Sequence, residues 1–134
     1  MINTLACIAT AVYFEARSEP VAGQKLVAET ILNRAADPRW PSEPCDVVKQ
    51  KNQFSFYWDG MSDTPRDMKA YARATEVASE TLNGYHVSTG ALYYHASYVA
   101  PVWRHKLHHV VTAGEHIFYV DPPKPRIRPK ARPE

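Results

Sequence analysis

The chain has only two cysteines, Cys7 and Cys45, among 134 residues. That number excludes a multi-bridge disulfide framework and leaves no cysteine cluster for a metal ion. Cys7 falls inside a helical pattern, where it reads first as a small buried hydrophobe; a bridge to Cys45 stays open. Long apolar runs are missing too, so no segment reads as a bilayer span and no membrane insertion is expected. The residues after Met1 lack a basic stretch followed by an apolar one, so no secretory signal peptide is expected. Net charge is small, at +2. Lys124, Arg126, Arg128, Lys130 and Arg132 stand against Glu134, which gives residues 122–134 a balance of +4 and leaves −2 for the rest. A mildly acidic body lacks the basic face of a nucleic-acid binder, so nucleic acid is not an expected partner.

What is present is an ordinary globular composition, 45% hydrophobic and 22% charged, in a length that suits one domain. Asn3 or Thr4 caps a first helix that runs to about Arg17, with Leu5, Ile8, Ala9, Val12 and Ala16 forming one apolar stripe. Ser18-Glu19-Pro20 breaks it, and a second helix follows to about Ala35. After a loop with three prolines, a short helix is expected at residues 45–50. Residues 53–58 read as extended, ending in the Asp59-Gly60 turn. Thr64-Pro65-Arg66-Asp67 has the form of a helix start, and Asn83-Gly84 ends that helix. Residues 91–95, 108–112 and 116–120 read as short strands. Helices first and short strands later predict an α+β domain over residues 1–121. Residues 122–134, rich in proline and positive charge, predict an extended basic tail. That tail is either an arm drawn to anionic envelope polymers or a terminus without a role.

Glu15 is a candidate that geometry allows and does not decide. At about 100° per residue it falls on the margin of the apolar stripe, next to Ile8. It also stands near a helix C-terminus, whose dipole opposes negative charge. Partial burial and that dipole both raise a carboxyl pKa, as a general acid near neutral pH requires. An ordinary salt-bridged helix-end glutamate, with Arg17 folded back onto it, fits the same pattern.

The surrounding residues decide more. Tyr13-Phe14-Glu15-Ala16-Arg17-Ser18-Glu19-Pro20, then Gly23-Gln24 and Val27-Ala28-Glu29-Thr30-Ile31-Leu32-Asn33-Arg34, resemble the opening of the SleB/CwlJ-type cell-wall hydrolases, the spore-cortex-lytic enzyme-like family. The resemblance continues in order through Cys45-Asp46-Val47-Val48, Gln53-Phe54-Ser55, Gly90-Ala91-Leu92-Tyr93-Tyr94-His95, Pro101-Val102-Trp103 and His116-Ile117-Phe118-Tyr119. Ser18 departs from the glycine the family prefers, and Ala96 from a polar residue. The resemblance implies a lysozyme-like, lytic-transglycosylase-like α+β fold, mainly helical with a small antiparallel sheet. It implies Glu15 as the catalytic acid, and Gln53, Phe54, Ser55, Tyr94, His95 and Trp103 as substrate-binding residues in or near a groove for peptidoglycan glycan strands. No cofactor and no metal is implied, and a monomer is expected.

On that reading the chain cuts between N-acetylmuramic acid and N-acetylglucosamine. A hydrolase needs a second carboxylate about 5–10 Å from the first. Only Asp59 and Glu19 offer themselves, and Glu19 also reads as a structural residue before a helix. A lone glutamate suits a lytic transglycosylase, in which the sugar's own 6-hydroxyl closes the ring. Two rivals remain: a zinc-dependent amidase or peptidase, and a non-catalytic glycan-binding module. His105, His108, His109 and His116 raise the zinc reading, but their spacing matches no known zinc motif. Without a signal peptide, the expected location is a host cytoplasm until release to the wall, as for a phage endolysin. Secretion by a non-classical route is the alternative.

Overall fold

A computed structural model of the protein describes residues 3–50, 65–84 and 89–123. Four α-helices come first: α1 (Thr4–Ala16), α2 (Val21–Ala35), α3 (Pro44–Lys49) and α4 (Met68–Leu82). Strands β1 (Tyr93–Ala96), β2 (His108–Ala113) and β3 (His116–Val120) follow, with a 3-10 helix, Val102–Lys106, between β1 and β2. The strands form one antiparallel sheet in the order β1-β3-β2. The architecture is α+β and mainly helical, as the order of sequence patterns implies.

α1 is the centre of the molecule. Asn3 caps it, its side-chain oxygen accepting the amide of Ala6 at 2.8 Å. The apolar stripe is wider than the sequence pattern suggests, because Ala11 and Tyr13 are buried beside Cys7, Ile8, Ala9, Val12 and Ala16. α2, α3 and α4 all pack against α1, which accounts for burial around most of its girth. Cys7 and Cys45 form a disulfide across α1 and α3, with Cα atoms 5.3 Å apart. Cys7 is therefore buried as half of a bridge, and not as a free thiol.

α4 starts later than the Thr64-Pro65 pattern suggests. Asp67 is the cap, accepting the Ala70 amide at 3.1 Å. The Tyr13 hydroxyl accepts the amides of Arg66 and Asp67 at 3.2 and 3.0 Å, so a tertiary contact occupies donors that a longer helix would leave bare.

The polar residues of α2 carry the sheet. Glu29, only 1% exposed, accepts the Thr89 amide at 2.8 Å. Asn33 donates to the Ala91 carbonyl at 2.9 Å and Arg34 to the Leu92 carbonyl at 2.7 Å. Polar side chains from the second half of α2 thus tether the segment that leads into Tyr93, Tyr94 and His95. Alternation along the strands then sorts the side chains. Phe118, fully buried, and Tyr94, its register partner, face the helical core on one side. Tyr93, His95 and Tyr119 face the other, where Trp103 of the 3-10 helix covers them.

Candidate active site

Glu15 lies in the last turn of α1 and is partly exposed there, on the margin of a helix whose next residue, Ala16, is still buried in the core. The guanidinium of Arg17, two residues on, lies 5.0 Å from the Tyr13 ring centre. The neighbour of Glu15 across the fold is Tyr94 on β1. Burial above all, together with the charge of Glu15 and a hydrogen bond to it, holds the Tyr94 phenol well above its ordinary pKa. The phenol therefore stays protonated, with its O–H available to the Glu15 carboxylate.

Tyr94 is also part of the wall of a cleft of about 390 Å³, lined further by Arg34, Trp40, Tyr93, Trp103, Lys106 and Leu107. Trp103 is 39% exposed and presents the indole that caps the sheet. Trp40 meets Tyr93 edge-on at 5.8 Å, and the guanidinium of Arg34 lies 5.4 Å from the Trp40 ring centre. Burial pulls the Arg34 pKa down, while Tyr94 and Tyr93 oppose that shift. On the rim, Arg39 pairs with Asp37 at 2.9 Å and Asp121 at 2.5 Å, and Tyr93 donates to Asp121 at 3.0 Å. Flat aromatic faces with a few fixed polar groups form a surface that suits saccharide rings.

These features, Glu15 beside a protonated phenol that itself lines an aromatic cleft, coincide with a match to known proteins. A family model described as cell wall hydrolase matches residues 18–119. The chain belongs to the cell wall hydrolase family. The matched stretch begins after Glu15, so Glu15 rests on its own geometry and on the residues around it. A spore cortex-lytic enzyme of Bacillus subtilis is 32% identical over 117 residues, which is 87% of this chain. The chain spans only 37% of that relative's length. Two solved structures resemble it over nearly their whole extent. The catalytic domain of the germination-specific lytic transglycosylase SleB from Bacillus anthracis is 30% identical, with a TM-score of 0.76 over 90% of this chain and 96% of that one. The catalytic domain of the Bacillus cereus SleB protein gives 30% identity and 0.75, over 87% and 89%.

The site residues named from sequence fall in different places in the structure. Tyr94 and Trp103 line the cleft. His95 stands behind it, buried. Its Nδ1 is 2.8 Å from the Ala96 carbonyl, which can only accept, so Nδ1 carries the proton and Nε2 accepts the Tyr119 hydroxyl at 2.8 Å. Both ring nitrogens are thus engaged, and the ring stacks on Tyr119 at 5.3 Å. Gln53, Phe54, Ser55 and Asp59 lie outside the described residues. Trp40, Arg34 and Lys106 are cleft residues that sequence reasoning misses, since each reads there as an ordinary loop or helix residue. Among the described residues no three His, Cys, Asp or Glu side chains come together to hold a metal ion.

His116 is the remaining titratable group near Tyr94, 5.2 Å from it between ring centres. Burial chiefly pushes its pKa below the ordinary value, against the pull of Glu19 and Glu115, and His95 adds to the lowering. The unfolded chain then binds one more proton between that lowered value and about 6.5, so stability rises with pH across this window and falls as pH drops through it. Thermal melts at stepped pH should show a loss below about pH 6.5 that is smaller in His116→Gln than in the parent chain. Equal losses in both would assign the acid sensitivity to other groups.

Proposed function

We propose that the protein cleaves the glycan strands of peptidoglycan between N-acetylmuramic acid and N-acetylglucosamine, as a lytic transglycosylase with Glu15 as its single acid and base. The observation that carries this reading is the pairing of Glu15 with a protonated Tyr94, its hydroxyl buried, at the wall of an aromatic cleft. Similarity over 96% of a lytic transglycosylase catalytic domain supports it. Glu15 gives its proton to the glycosidic oxygen while positive charge develops at the anomeric carbon. The carboxylate left behind is held by the Tyr94 hydroxyl, and it takes back the proton of the sugar's 6-hydroxyl as that oxygen closes onto the anomeric carbon. The leaving sugar departs with the acid's proton, and Glu15 ends protonated as it began. No water is consumed.

Trp103 and Trp40 supply faces on which sugar rings stack; Gln53, Phe54 and Ser55 are assigned to substrate by the resemblance alone. A disulfide persists in an oxidising compartment, so the Cys7–Cys45 bridge supports action outside a reducing cytoplasm, on the wall side of the membrane. A role in cell lysis is part of this reading.

Digestion of purified peptidoglycan tests it. Soluble muropeptides should appear at an undiminished rate in the presence of EDTA. Loss of release on chelation, restored by zinc, would favour an amidase or peptidase. Binding to the wall without any release would favour a glycan-binding module.

A further inference from the structure

The second carboxylate of the motif, Glu19, does not point where a catalytic partner would. It follows α1 by three residues, and its side chain is only 10% exposed. Both of its oxygens lie 3.1 Å from the amide nitrogen of Glu115, in the turn between β2 and β3. Its Oε1 lies 3.5 Å from Nδ1 of His116. The turn is shaped to admit it. Gly114 has φ +58°, a left-handed conformation that favours glycine, and a Cβ there would collide with Glu19 Oε2 and come within 2.8 Å of Pro20.

The hairpin so held leads straight back to the catalytic pair. His116 and Phe118 alternate onto one face of β3, and Tyr94 is the register partner of Phe118. The Tyr94 ring therefore meets both of them, His116 edge-on at 5.2 Å and Phe118 at 5.4 Å. Next to these contacts, the Ser97 amide donates to the Glu115 carbonyl at 2.7 Å and ties the end of β1 to the same turn.

We propose that Glu19 and His116 are positioning residues, which clamp the β2–β3 turn to the end of α1 and so fix the Tyr94 phenol on Glu15. Two carboxylates, Glu15 and Glu19, bracket a tyrosine–histidine pair, and only the first touches substrate. The clamp joins the two ends of one short stretch, residues 15–19, to two strands near the other end of the chain. Any shift of the turn moves His116, then the Tyr94 ring, then its hydroxyl. The role deepens the glycosidase reading above and rests on it.

The test compares Glu19→Gln, Glu19→Ala and Gly114→Ala with the parent protein. Glutamine at position 19 keeps an oxygen for the Glu115 amide and loses the charge; alanine there loses both. The Gly114→Ala exchange crowds the carboxylate out of its seat and also strains the left-handed turn, without touching the charge of Glu19. In muropeptide release, Glu19→Ala and Gly114→Ala should lower kcat by roughly 10- to 100-fold with KM little changed, the scale expected from small misplacement of a catalytic group. Glu19→Gln should recover most of that loss. Activity of Glu19→Gln as low as that of Glu15→Gln would overturn the proposal, because it would make Glu19 a chemical participant. Full activity of folded Glu19→Ala would overturn it also.

A second readout does not depend on substrate. The groups facing His116 are Glu19 from the α1–α2 turn, Glu115 from the hairpin, and Tyr94 and His95 from β1. Proton NMR titration of the His116 ring should show a lower pKa in Glu19→Gln than in the parent, since an attractive charge has gone. An unchanged titration would overturn the clamp. Should the parent protein release no fragments, the glycosidase reading fails while this titration still reports on the clamp.

Discussion

Replacing Glu15 by glutamine is expected to lower the rate of wall lysis by about 10²-fold or more, with the protein still folded. Glutamine has the shape of glutamate and retains an oxygen that accepts the Tyr94 hydroxyl. It has no proton to give to a departing sugar oxygen and no charge with which to take one back. Glu15 is partly exposed at the end of α1, so the exchange opens no cavity and buries no new group. Binding to insoluble peptidoglycan should therefore remain near the parent level while turbidity loss stops. A folded Glu15→Gln protein with most of its activity would remove Glu15 from the reaction.

Removal of the Cys7–Cys45 bridge should have the largest effect on stability. The two cysteines are 38 positions apart, and a cross-link over a loop of that size constrains the unfolded chain by about 4 kcal/mol on the loop-entropy account. The bridge holds α3 against α1, the helix that ends in Glu15. Cys7→Ser/Cys45→Ser, or the parent under reductant, should unfold at clearly lower denaturant with near-native far-UV dichroism beforehand. A loss below about 1 kcal/mol would show that packing of α3 on α1 stands without the link.

How far the sequence can be read varies with how local the cause is. The start of α1 is legible because Asn3 caps a donor three residues away, and β3 because a period-two pattern runs over consecutive residues. The start of α4 is not, since the Tyr13 hydroxyl, more than fifty positions earlier, takes the Arg66 and Asp67 amides. The 3-10 helix escapes notice because five residues are too few for a periodic signal. The disulfide depends on α1 and α3 meeting, which no spacing of two cysteines reveals.

The site divides in the same way. The place of Glu15 on the margin of the α1 stripe is legible from helix periodicity, and its proposed role comes from the motif around it. Glu19 reads as structural, but its partner does not show, because the Glu115 amide is ninety-six positions away. The same holds for Glu29, Asn33 and Arg34, which read as the polar side of a helix and serve as anchors for the backbone at 89–92. His95 shows the reverse: the motif marks it as important, and its two hydrogen bonds place it in support of the sheet behind the cleft.

On the proposed reading, one carboxylate breaks the glycan strand with no activated water. Mass spectrometry of muropeptides released from purified peptidoglycan in heavy-oxygen water tests it most directly. Products should end in 1,6-anhydro-N-acetylmuramic acid, one water lighter than hydrolytic products, and carry no heavy oxygen. Reducing ends labelled from the solvent would contradict the account, because they require a water molecule and a second group to activate it.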